Sequence, residues 1–138
     1  IASPAEYQRV LAHNFPAGRP DSLARMAKYE LKQRADGRWE RKLDPKFHAG
    51  RPQTDAEALA REKEIAKRLW EALAKIPCPT LVVRGAASDV MSPEVADKMA
   101  DDVLAKGTLA VVPQAAHSVM TDNPDGFNKA VCAFVLGE

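Results

Sequence analysis

The sequence predicts an α/β protein with two parallel strands, flanking helices and a mostly helical segment ahead of them. Thr80-Leu81-Val82-Val83-Arg84 and Thr108-Leu109-Ala110-Val111-Val112 are short β-branched apolar runs without polar alternation. Strands covered on both faces have this pattern. Between them Ser92-Pro93-Glu94 opens a helix as N-cap, first-turn proline and acid. Val95, Ala96, Met99, Ala100, Val103 and Leu104 fall on its inward face, and Gly107 is expected to end it. A strand, a crossover helix and a strand form a βαβ unit whose strands run parallel.

The other elements follow in chain order. Ser3-Pro4-Ala5-Glu6 has a capping-box layout that starts a short helix reaching about His13. Asp21 or Ser22 is expected to cap a second helix with Leu23, Met26, Ala27 and Leu31 on one face. Asp36-Gly37 is a hairpin turn signal flanked by Arg34 and Trp39. Thr54 and Glu57 make a second capping box, opening a long amphipathic helix to Ile76 with Leu59, Ala66, Leu69, Leu73 and Ile76 at helical spacing. Its wet side pairs Glu57 with Arg61, Glu64 with Arg68 and Glu71 with Lys75, and Pro77 stops it. Asn123-Pro124-Asp125 caps a last helix with Phe127, Val131, Phe134 and Val135 inward. The chain thus divides into residues 1–52, helical with a short hairpin, and residues 53–138, the α/β part.

Composition narrows the function classes. A formal net charge of +1 gives no field to gather nucleic acid or an anionic membrane, and no apolar run approaches the ~20 residues that span a bilayer. Cys78 and Cys132 have neither metal-ligand spacing nor a CxxC motif, and read as buried thiols in a reducing, cytoplasmic setting. No ligand cluster or phosphate loop appears, so neither metal nor other cofactor is expected.

Parallel strands send both of their following loops to one edge, where open α/β sheets bind ligands. The first loop, residues 85–92, carries Asp89, and the second, residues 114–120, carries His117. Alone, a loop aspartate is a turn former and a loop histidine a solvated side chain. Together they can act as an acid that fixes one imidazole nitrogen while the other takes a nucleophile's proton. Met91, Val119 and Met120 flank these loops and are candidate substrate contacts.

Ile76-Pro77-Cys78-Pro79 with the following strand to Gly85, then Ser88-Asp89-Val90, Pro113 to His117, Asn123-Pro124 and Phe127 resemble the last third of α/β-hydrolase enzymes. The resemblance covers residues 54–138 well. It implies the C-terminal part of that fold, with Asp89 as triad acid, His117 as general base and residues 1–52 as a helical cap or lid over the active site. Asp36 to Glu40 and Asp44-Pro45 also look like cap sequence. The family carries its nucleophile on a strand-to-helix elbow, commonly G-x-S-x-G. Serines stand at positions 3, 22, 88, 92 and 118, and none has glycine two residues away on either side. Ala116 stands where many relatives have glycine, which would cost about 1 kcal/mol if that position needed left-handed backbone.

The resemblance therefore implies a hydrolase of ester-like or related small molecules, with this chain supplying acid and histidine. Its nucleophile and the earlier strands are expected from the N-terminal half of a longer protein or from a second chain completing the sheet. An aspartate nucleophile would shift the chemistry to epoxide or carbon–halogen hydrolysis. The competing reading is a non-catalytic fragment or interaction module that keeps the fold's tail.

Overall fold

The computed structural model describes residues 1–44, Lys46 and residues 56–137, without the side chains of Ala56 and Glu57. Helix α1 (Pro4–Asn14) begins as its capping sequence dictates, with Ser3 Oγ accepting the Glu6 N–H at 3.1 Å. Glu6 reaches back one residue further than in the usual reciprocal box, taking the Ala2 N–H at 2.6 Å. Helix α2 (Pro20–Glu30) starts before the expected caps, because Pro20, with φ already fixed, occupies its first turn and Arg19 is the N-cap. Asp21 instead pairs with Arg19 at 3.2 Å.

Tyr7, Leu11, Leu23, Ala27 and Leu31 form one buried cluster that joins α1 to α2. The Tyr7 hydroxyl donates to Glu30 Oε2 at 2.6 Å. Burial, reinforced by that carboxylate, pushes its pKa above the ordinary tyrosine value. Leu31 keeps its core role but leaves the helix, opening strand β1 (Leu31–Gln33), which pairs antiparallel with β2 (Trp39–Arg41). The hairpin turns at Gly37, whose φ of 80° suits glycine.

The capping residue expected at Thr54 lies outside the described residues. Helix α3 (Ala56–Leu73) stops before Pro77, with Lys75 and Ile76 donating to Ala72 and Leu73 in a tightened last turn. Its apolar stripe is largely uncovered, Leu69 being 65% exposed. Among the described residues the expected Glu64–Arg68 and Glu71–Lys75 pairs do not close.

Strand β3 (Thr80–Gly85) and strand β4 (Gly107–Val112) pair in parallel, from Thr80 opposite Gly107 to Gly85 opposite Val112. Between them α4 (Pro93–Asp97) continues as a π-helical turn (Lys98–Val103), and the Leu104 N–H closes on Met99 O at 3.0 Å. Ala96, Ala100 and Leu104, four apart, form the buried stripe against Val82. Val95, one position round the helix, is 38% exposed and does not join the inward face expected of it. Gly107 belongs to β4 and does not end the helix; a Cβ there would lie 2.1 Å from Ala100 O, so only glycine lets helix and strand approach this closely.

After β4 come the short α5 (Val119–Asp122) and α6 (Pro124–Leu136), the latter capped as expected by Asn123 Oδ1 on the Gly126 N–H at 2.9 Å. Phe127 packs against the cluster of Val112, Ala115 and Val119, yet no residue of α6 is fully buried and Val135 points to solvent. Cys78 and Cys132 are both exposed, correcting their reading as buried thiols. One precedes β3 between two prolines, and the other sits on a helix with little covering it.

Arg84, in contrast, is 7% exposed at the end of β3. Its guanidinium donates to three backbone carbonyls of the following loop: Met91 O at 2.8 Å, Ser88 O at 3.3 Å and Ala86 O at 3.4 Å. Ser88 Oγ accepts the Met91 N–H at 3.2 Å inside the same loop.

Two stability effects are expected in urea unfolding. Gly107→Ala should lower stability by about 1–3 kcal/mol through overpacking against Ala100; an unchanged midpoint would contradict the close approach. Arg84→Met, which strips a charged donor from three carbonyls, should cost about 2–3 kcal/mol. Arg84→Lys should recover only part of this, because one ammonium cannot reproduce the planar fork.

Candidate active site

Because Gly85 stands opposite Val112, the acid loop and the histidine loop leave the sheet side by side. They are stitched together at once: Ala86 N–H donates to Val112 O and Ala87 N–H to Ala115 O, each at 2.9 Å. The approach is close enough that a Cβ on Gly85 would lie 1.9 Å from Ala116 O and 2.5 Å from Ala115 O. Glycine at this strand end is therefore a steric requirement.

The histidine loop is closed by two side chains that follow it. Asn123 Nδ2 donates to Pro113 O at 2.9 Å, and Asp122 Oδ2 accepts the Ala116 N–H at 2.8 Å. The tight bend falls at Gln114, with φ of 52°. Gln114 is the sole non-glycine residue with positive φ among the described residues, so Ala116 does not carry the left-handed strain its position raised.

Asp89 and His117 both line one cavity of about 430 Å³. Both side chains are exposed, and no hydrogen bond joins them among the described residues. Phe15, Pro16 and Ala17, from the connection between α1 and α2, form the facing wall. That connection is anchored beside the histidine loop by the Arg19 N–H on Thr121 O at 3.1 Å and by the Arg19–Asp125 ion pair at 2.7 Å. Next to the acid loop, a hydrogen bond from Ser92 holds the Glu94 carboxyl below its usual range, and the Arg84 guanidinium acts in the same direction.

Met91, Val119 and Met120 are not among the residues that line this cavity. Met91 packs on the Val82–Ala96 cluster, and Val119 is buried with Val112 and Ala115, because both are needed to seal the core beneath the loops. Met120 lines a separate cavity with Arg25 and Phe127. Sequence reasoning missed the Phe15–Ala17 wall and Asp122. The Pro16-Ala17-Gly18 break between two helical patterns was the available signal for the first. For the second there was the spacing of five residues from His117, which means little until the turn between them is known. Among the described residues no group of three or more His, Cys, Asp or Glu could hold a metal ion, and no helix is long and apolar enough to cross a membrane.

No curated protein sequence is significantly similar to the chain. Solved structures are. The chain is 22% identical to an E-2-(acetamidomethylene)succinate hydrolase, over 98% of its own length and 46% of that protein's, with a TM-score of 0.67. A Mycobacterium tuberculosis esterase is 19% identical over 100% of the chain and 42% of its own, at a TM-score of 0.73. An alpha/beta hydrolase from Novosphingobium aromaticivorans is 23% identical over 99% and 46%, at 0.64. The chain thus spans less than half the length of these structures, whose likeness establishes the fold. The sequence profile of the alpha/beta hydrolase family matches residues 2–130. With that match over nearly all of its length, and with a parallel βαβ unit delivering two loops to one edge, the chain belongs to the alpha/beta hydrolase family.

Proposed function

We propose that the chain supplies the acid, Asp89, and the general base, His117, of a nucleophile–histidine–acid triad that hydrolyses an ester-like small molecule. The observation that carries this reading is the shared cavity: the two side chains come from successive loops at one sheet edge and line the same space. In this reading Asp89 accepts a hydrogen bond from one imidazole nitrogen, fixing the tautomer. The other nitrogen takes the nucleophile's proton, returns it to the leaving group, and then activates the water that releases the acyl group. Both side chains are exposed, and such bonds commonly tighten only when substrate is bound.

The nucleophile is supplied by sequence outside these 138 residues, in the same chain or in a second one that completes the sheet beside β3. The wall of Phe15, Pro16 and Ala17 covers the cavity as a lid segment and favours an apolar acyl or alcohol group there.

The test is turnover of a short-chain p-nitrophenyl ester by the full-length protein. His117→Ala should lower kcat by about 10³-fold or more, and Asp89→Asn should lose most activity through the wrong tautomer. Both variants turning over like the wild type would overturn the triad and favour a non-catalytic role.

A further inference from the structure

Three polar or charged residues are buried among the described residues: Arg84, Thr121 and Asp122. Arg84 is spent on the acid loop, and Thr121 caps its hydroxyl on Met26 Sδ. Asp122 is 6% exposed, makes no ion pair among the described residues, and the proposed triad does not use it. A carboxylate taken out of water without a cation is costly unless strong hydrogen bonds compensate. Its side chain accepts a hydrogen bond at 2.8 Å from the N–H of Ala116, the residue immediately before His117.

We infer that Asp122 is the positioning residue for His117, holding the Ala115–Ala116 peptide, one removed from the histidine, so that the imidazole stands at a fixed distance from the acid loop. The inference rests on the triad reading above. The Ala115–Ala116 segment is gripped from two directions. The missing side chain of Gly85 leaves room for the Ala115 and Ala116 carbonyls, and Ala87 N–H bonds Ala115 O, so the acid loop holds the segment from the strand side. From the other side the Asp122 side chain holds the Ala116 amide, spanning His117, while its own N–H is tied to Ser118 O at 3.0 Å in the turn that follows. Loss of the Asp122 contact leaves the Ala115–Ala116 peptide held only at its carbonyl end by Ala87, loosening the segment that leads into His117.

A charge-assisted bond to a backbone amide is stronger than a neutral one, so the carboxylate form is the better clamp. A misplacement of about 1 Å at a reacting group can cost about 10²-fold in rate. In the full-length protein, Asp122→Ala should therefore lower kcat on the p-nitrophenyl ester about 10²-fold with KM little changed. Asp122→Asn keeps an acceptor of the same size and should stay within about tenfold of wild type. The Ala116 amide proton, deshielded by the carboxylate, should move upfield in the NMR spectrum of Asp122→Ala.

Asp122→Asn guards against a variant that fails to fold, since it preserves volume and one oxygen. Wild-type kcat in a folded Asp122→Ala, or an unmoved Ala116 amide proton, would overturn the positioning role while His117→Ala remained inactive. Full activity of His117→Ala would instead sink the triad reading itself.

Discussion

The contact on which the site depends is the one between the end of β3 and the loop leaving β4, where Gly85 meets the carbonyls of Ala115 and Ala116. Parallel pairing brings Gly85 opposite Val112, but pairing alone would let the two following loops diverge. The missing side chain at Gly85, together with the Ala86 and Ala87 amides bonded to Val112 and Ala115, extends the register two residues past the sheet. The spacing of acid and histidine is thereby set by backbone geometry. Their own side chains need only complete it, which is why a lack of direct contact between Asp89 and His117 does not leave the loops unrelated.

Each loop is then fixed by a buried charge that is neutralised by peptide groups. Arg84 faces carbonyls of the acid loop, and Asp122 faces an amide of the histidine loop. The signs match the local need, because the acid loop turns three carbonyl oxygens toward Arg84 and the histidine loop turns an N–H toward Asp122. A buried charge holding peptide dipoles gives a loop one geometry at considerable desolvation cost, whereas apolar side chains of equal volume would pack it less specifically.

Much of the fold was legible because it is written in local signals. Ser3 and Glu6, Ser92 and Pro93, Asn123 and Pro124, and Asp36-Gly37 act on backbone groups within a few residues, so their effects do not wait for tertiary structure. The two strands showed through their unbroken apolar runs. The parts that were not legible depend on what lies across space. Val95 and Ala96 read alike in sequence, and only the close approach permitted by Ala96, Ala100 and Gly107 decides which turns inward. Met91 and Val119 sit two positions from Asp89 and His117, yet their side chains pack on the core clusters beneath the loops. Nothing in the sequence marks Arg84 and Asp122 as buried, because burial of a charge is decided by its partners.

The apolar residues left facing solvent follow from the same architecture. A two-stranded parallel sheet offers too little surface for the helices on both sides of it. Leu69 on α3, Val111 on β4 and Val135 on α6 are each more than half exposed, while the α1–α2 pair, which needs only itself and a hairpin, closes a proper core. The chain spans under half the length of the structures it resembles, and most of its exposed large apolar residues lie in the α/β part, with Val10 on α1 and Tyr29 on α2 also facing solvent. The helical segment closes its own core and is tied to the histidine loop through Arg19, whereas the strands, though incompletely covered, keep their loop geometry because hydrogen bonds and buried charges, rather than bulk burial, fix it.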